Sequence, residues 1–208
     1  MRTILTTITI LLLLSAPLTA AEWQSLFDGK TLNGWDAEEH GDCFKVVDGA
    51  IAAGGGPVSR LSYVGPVQNH DFKNFELKLE VKTRPGSNGG VFIHTGPQST
   101  SLKKGYEAQV CNSCPDTRKT GSLLVVEDHD TSPVKDDEWF EYHLVVIGKR
   151  IVVKVNGKTT VDYTEPEKPQ RPATWENRLL SHGLIALQAH APQSLVYYRN
   201  IRVRVIPD

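Results

Sequence analysis

The chain has 208 residues, with 23 Lys and Arg against 24 Asp and Glu, a formal charge of −1. So even a balance offers no basic field for nucleic acid or an anionic membrane surface, and neither is expected as a partner. Hydrophobic residues at 39% and charged residues at 23% exclude a disordered chain, and the length suits one domain.

Met1–Ala21 begins with Arg2, runs through the apolar stretch Ile4–Leu14 and ends in small residues. That order is the pattern of a cleaved secretory signal, and the stretch is too short to cross a ~30 Å hydrocarbon core. The alternative is an uncleaved N-terminal anchor. Cleavage at Ala20 or Ala21 would take the formal charge to −2, leave residues 22–208 as the domain, and leave no stable membrane anchor. A secreted or periplasmic protein is expected.

Cys43 reads as a buried thiol. Phe75–Lys82 (FELKLEVK) alternates apolar and polar as a half-buried strand should. Gly90–His94 and Tyr106–Cys111 read as the next strands. In an oxidising compartment Cys111 and Cys114 could close a small loop by a disulfide; inert thiols, a place at a site rim, or redox chemistry are the other readings. Leu123–Glu127 reads as a strand. Glu127-Asp128-His129-Asp130 is dense enough in ligand atoms to hold a divalent metal, or is an exposed acidic loop. No cofactor is otherwise indicated.

Glu141–Ile147 and Arg150–Val155 are joined by Gly148-Lys149, a tight hairpin signal, and Asn156-Gly157 is a second, leading into Thr159–Tyr163. Glu165–Pro172 is a Pro-rich surface loop. Thr174–Leu180 reads as one or two helical turns capped by Thr174. Gly183–Ala189 and Val196–Val205 close the chain as strands. Strands of this number, without βα alternation, argue for an all-β, two-sheet antiparallel sandwich.

Three strands carry polar residues at alternate positions, where alternation puts them on one face. Glu107 and Gln109 oppose Tyr106, Ala108 and Val110; Gln188 and His190 oppose Leu187 and Ala189; Phe92 and His94 oppose Val91 and Ile93. Such a face is either the ordinary solvated side of a sheet or a sugar cleft, with acceptors and imidazoles for hydroxyls and Phe92 or Tyr106 to stack a ring. Asn88-Gly89-Gly90 permits close backbone approach to a ligand or serves a turn. His40, His70, His143 and His182 have no convergent neighbours and read as structural or exposed.

LFDGKTLNGW at Leu26–Trp35, SNGGVFIH at Ser87–His94, GYEAQV at Gly105–Val110, Trp139 with the hairpin ending Val155-Asn156-Gly157, GLIALQAH at Gly183–His190 and YRNIRV at Tyr198–Val203 follow in order. Together they resemble the 3-keto-disaccharide hydrolase domain family, from about Trp23 to the C-terminus. The resemblance implies a concanavalin A-like jelly roll acting on glycosides whose carbon 3 hydroxyl has become a ketone. The ketone acidifies the carbon 2 proton; its removal and β-elimination of the anomeric group give a lyase product, or net hydrolysis after water adds.

Position by position, the resemblance implies Glu107 and His190 as the acid/base pair, with the order of roles open. It implies Asn88, Gln109 and Gln188 for sugar hydroxyls and His94 as enediolate stabiliser or metal ligand. Many relatives carry Arg at the position of His94, and an acid where this chain has Cys111-Asn112, which weakens any metal site that depends on that acid. Arg199-Asn200 is expected to fix the last strand. A small carbohydrate is the implied partner, and the oligomeric state is left open. The alternatives are a lectin-like binding module on the same fold and a two-carboxylate glycosidase, for which Glu107 has no evident second acid.

Overall fold

The computed structural model describes residues 21–98 and 104–208; the expected signal lies outside them except for its last residue. In chain order the strands are β1 Gln24–Ser25, β2 Trp35–Asp36, β3 Phe44–Val47, β4 Ala50–Gly54, β5 Ser59–Tyr63, β6 Phe75–Thr83 and β7 Gly89–Thr95. There follow β8 Tyr106–Val110, β9 Phe140–Ile147, β10 Arg150–Val155, β11 Lys158–Thr164, β12 Leu184–Ala189 and β13 Leu195–Val205. They form two antiparallel sheets. The larger runs β11-β10-β9-β6-β13-β4-β3, with β1 added on β13; the smaller runs β2-β5-β12-β7-β8.

Alternation builds the layer between the sheets. Along β6 the burial pattern alternates strictly, with Phe75, Leu77, Leu79 and Val81 inward. Tyr142, Leu144 and Val146 of β9 and Tyr198 and Val203 of β13 join them, against Val91, Ile93, Ala108, Val110 and Leu187 of the smaller sheet. Each buried Val, Leu, Ile or Phe side chain among them stabilises the fold by roughly 1.5–3 kcal/mol. The hairpins fall where expected: Ile147 pairs Arg150 across Gly148-Lys149, and Val155 pairs Lys158 across Asn156-Gly157. Asn156 and Gly157 both take positive φ (48° and 77°), which such a two-residue turn requires and these residue types tolerate best.

LFDGKTLNGW folds the N-terminal segment onto this core. Leu26 and Phe27 are buried, the Trp35 indole donates to the Leu26 carbonyl at 2.7 Å, and Asp28 accepts from the Lys30 and Thr31 amides.

Two elements differ from expectation. Leu123–Glu127 is not a strand: Leu123 and Glu127 exchange backbone hydrogen bonds around Val125, whose φ is 61°. The segment lies along the free edge of β8, with Leu124 N–H donating to the Glu107 carbonyl and Gln109 N–H to the Ser122 carbonyl, both at 3.0 Å. The apolar run therefore covers an edge. Thr174–Leu180 gives only a 3-10 turn, Ala173–Trp175, with Pro172 rather than Thr174 at the N-cap position and no side-chain cap. Strands β1 to β5 were not marked by the sequence pattern.

Candidate active site

The chemistry-bearing residues collect on the outer face of the smaller sheet. Register sets them in two rows. Ser62, Ala186, Phe92 and Glu107 are successive Cα partners across β5, β12, β7 and β8. One step along, Arg60 pairs Gln188, and Gly90 pairs Gln109. Side chains of both rows point away from the core by alternation, yet they are not solvated. Arg60, Phe92, Glu107, Gln109 and Gln188 are all buried, as is Asn88.

Glu107 is the centre of the cluster. Its Oε2 accepts from Arg178 Nη2 at 2.9 Å, and the two side chains are 5% and 1% exposed. Gly90 is what makes room: a Cβ there would lie 2.5 Å from Glu107 Oε1 and 3.0 Å from its Cγ. The close approach that Asn88-Gly89-Gly90 permits is made by this carboxyl group. Burial pushes the Glu107 carboxyl above the usual carboxylate range, against the opposing pull of Arg178 and Arg60.

Arg60 and Arg178 both sit on the Phe92 ring, at 4.4 and 5.6 Å from its centroid, and Arg178 also lies 4.6 Å from the Trp175 ring. Phe92 thus carries two guanidinium groups rather than an open face for a sugar. Arg60 Nη1 donates to Thr95 Oγ1 at 2.7 Å, and burial draws its pKa down to about 10. Tyr106 points the other way, into the core, with its hydroxyl donating to Glu165.

At the other end of the face, Gln109 Nε2 donates to Asn88 Oδ1 (3.4 Å) and to the Arg118 carbonyl (3.3 Å). Cys111 and Cys114 form a disulfide that closes the loop leading to Asp116 and Arg118; Cys43 is free and buried. Arg118 holds the Asp116 carboxylate with Nε and Nη2, both at 2.9 Å. Half-buried His190 is coupled electrostatically to Asp116; burial nevertheless draws its pKa below the ordinary imidazole value. Among the described residues, two buried side-chain atoms have no hydrogen-bond partner, Arg178 Nε and Gln188 Oε1, and both belong to this cluster.

His94 does not join the face. Between β7 and β12 the register slips, and His94 takes a φ of 52°. This bulge breaks the alternation and turns the ring against Phe75 in the core, 5.9 Å between centroids. There Nε2 donates to the Lys73 carbonyl at 2.9 Å and Nδ1 accepts from the Ser181 amide at 3.2 Å. Burial lowers its pKa to about 4, so the imidazole is neutral. It pins the segment that carries Arg178.

The acidic run 127–130 also stays apart. Asp128 accepts from the Val125 amide and His129 bonds the Thr160 carbonyl. Among the described residues no three His, Cys, Asp or Glu side chains converge as a metal site would require. Elsewhere His143 meets Glu76, and His182 meets Asp71 at the surface. Two residues of the cluster escaped the sequence reading. Arg60 had a signal, the alternation of Ser59-Arg60-Leu61-Ser62-Tyr63. Arg178 had none, because it comes from an irregular segment brought over the sheet only by tertiary folding.

The sequence profile of the 3-keto-alpha-glucoside-1,2-lyase-like domain matches residues 22–204. A 3-keto-disaccharide hydrolase of Bacteroides thetaiotaomicron is 25% identical over 240 residues, covering 93% of this chain and 81% of that one. Among solved structures, a candidate glycosyl hydrolase of Parabacteroides distasonis superposes with a TM-score of 0.74 at 21% identity, over 89% of this chain and 94% of that one. A Bacillus subtilis carbohydrate-binding module, CBM66, gives 0.60 at 11% identity, over 82% and 95%. These two likenesses are of fold.

Proposed function

The chain belongs to the 3-keto-alpha-glucoside-1,2-lyase-like domain family, and from that premise we propose that it cleaves 3-keto-glycosides by proton abstraction at carbon 2 and elimination. The observation that carries the proposal is the buried Glu107 carboxyl held by Arg178, its pKa pushed up, with half-buried His190, its pKa pushed down, directly after the strand that carries Gln188. Burial favours the protonated form of the carboxyl and the neutral form of the imidazole, the forms that a general acid and a general base use. Neutral His190 takes the carbon 2 proton. The electron pair passes through the enediolate, the bond from carbon 1 to the aglycone oxygen breaks, and Glu107 protonates that oxygen. The unsaturated keto-sugar is the lyase product; water added across it gives net hydrolysis. Asn88, Gln109 and Gln188 orient hydroxyls.

We place the protein outside the cytoplasm, in the periplasm or beyond. The pattern of Met1–Ala21 and the Cys111–Cys114 disulfide both support that. A lectin-like module is the second reading, favoured by the likeness to the carbohydrate-binding module.

The test is turnover of 3-keto-trehalose and a methyl 3-keto-glucoside, with and without chelator. Glu107→Gln and His190→Ala should each lower kcat/KM by about 10²–10⁴-fold. The kcat/KM profile should show an acid limb below the ordinary imidazole value of ~6.5, as His190 protonates, and an alkaline limb from Glu107 above the ordinary ~4.3. Binding of intact glycans with no turnover of oxidised ones would establish the module instead.

A further inference from the structure

We propose that Arg178 and Gln188 together recognise the α-hydroxyketone of the oxidised sugar, and that Arg178 holds the negative charge the carbon 3 oxygen gains when the carbon 2 proton leaves. This rests on the reading above and names the groups that read its substrate.

Among the described residues, Arg178 Nε and Gln188 Oε1 are the buried side-chain atoms that lack a hydrogen-bond partner. Leaving such atoms unmet is costly, so their natural partners are groups of a ligand. One is a pure donor and the other a pure acceptor. A 3-keto-sugar offers the matching pair: a carbonyl oxygen that only accepts, flanked by hydroxyls that can donate. An unoxidised sugar fits less well. Its carbon 3 oxygen could accept from Nε, but its own hydrogen would face guanidinium donors, with Gln188 already taken by the neighbouring hydroxyl.

The guanidinium is fixed before any ligand arrives. Nη2 holds Glu107 at 2.9 Å, Nη1 donates to the Gly105 carbonyl at 3.4 Å, and the plane is flanked by the Phe92 and Trp175 rings. The segment itself is pinned, since Asn177 and Ser181 bond Gly105 and His94. Such a preorganised cation stabilises developing charge without having to reorganise. As His190 takes the proton from carbon 2, the electron pair enters the C2–C3 bond and the carbonyl becomes an oxyanion beside Nε–H. When the carbonyl re-forms, the double bond moves to C1–C2 and the C1–O bond breaks; Glu107 supplies the proton to the leaving oxygen.

The experiment follows release of deuterium to solvent from methyl 3-keto-glucoside labelled at carbon 2, with the primary isotope effect on turnover. Arg178→Lys keeps the charge but lacks Nε–H. It should slow deuterium release at least ~100-fold and raise the isotope effect. Because Arg178 is buried, Gln188→Met carries the same prediction independently: the preference for the 3-keto-glucoside over methyl glucoside, read as Kd against Ki, should fall about tenfold. Wild-type deuterium release in Arg178→Lys, while Glu107→Gln has lost turnover, would reduce Arg178 to a counter-ion and overturn the proposal. Unchanged selectivity in Gln188→Met would overturn the recognition half. If the wild-type protein releases no deuterium at all, the reading of the site falls and this assignment with it.

Discussion

Each sheet turns a polar face outward on the same two-residue alternation, and the two faces end with opposite electrostatics. On the larger sheet Glu76, Lys78 and Glu80 of β6 meet Arg199 and Arg204 of β13 and Glu141 and His143 of β9. The Arg199–Glu80 pair has side chains 36% and 34% exposed, against 1% and 5% for Arg178–Glu107. Burial is the largest single effect on Glu80 and pushes its carboxyl up, but hydrogen bonds from Asn200 and Arg199 outweigh it and the pKa ends lowered. On the smaller sheet burial wins, and Glu107 ends raised. The same residue type on the same kind of strand is a solvated ion-pair partner in one place and a candidate acid in the other. What differs is the cover laid over the sheet.

Removing one cation from each face should separate them most widely. Arg178→Met leaves Glu107 buried with its closest partner gone, which typically costs about 3–5 kcal/mol. Arg199→Met on the open face should cost no more than ~1 kcal/mol. Urea unfolding of both variants measures the difference. Adding Glu107→Gln to Arg178→Met should recover part of the loss, since no uncompensated charge is then left inside. Equal losses at the two positions would mean that the small-sheet pair is as well solvated as its counterpart.

A smaller effect is expected at Gly90, where no charge changes. Gly90→Ala puts a methyl 2.5 Å from Glu107 Oε1, so the carboxyl group must shift while the strand can persist. Turnover should fall about tenfold or more, as misplacing a reacting group does, with a smaller loss of stability than in Arg178→Met. Gly148→Ala serves as the control, because a Cβ there meets nothing within 4 Å; its strain at φ 56° is confined to a hairpin far from Glu107 in sequence. Full activity in Gly90→Ala would show that the position of Glu107 over the strand is not critical.

The alternation that builds both faces was legible in the sequence, and so was the placement of Glu107, Gln109 and Gln188 on one of them. Alternation says which side of a sheet a residue takes, not whether that side is covered. The groups that meet Glu107 and Gln109 over that face, Arg178 and the loop carrying Asp116 and Arg118, have no periodic signature. His94 failed for a related reason: one extra residue in β7 reverses the parity that the pattern assumes. One of the two stretches that carry the resemblance most specifically, LFDGKTLNGW, supplies core residues and turn hydrogen bonds to the N-terminal segment. It identifies the fold without contributing a group to the cluster around Glu107.

The finest distinction between the faces is the sign of their pH dependence, and Glu80→Gln should isolate one side of it. A carboxyl group whose folded pKa is lowered adds stability above its unfolded pKa, and that stability is lost as pH falls through the folded value. Glu80 is such a group, so at neutral pH the wild type should exceed Glu80→Gln by no more than ~1 kcal/mol, the range of an exposed pair. The gap should close as pH drops below the ordinary carboxylate range. Glu107 runs the other way: with its folded pKa raised, its protonated form favours the folded state, and stability falls as pH climbs from the unfolded value toward the folded one. Glu107→Gln should therefore flatten the upper part of the stability profile, where Glu80→Gln flattens the lower. Urea unfolding of the two variants and the wild type from acid to neutral pH measures both. A gap for Glu80→Gln that widened on acidification would reverse the sign assigned to the open face and with it the contrast between the two.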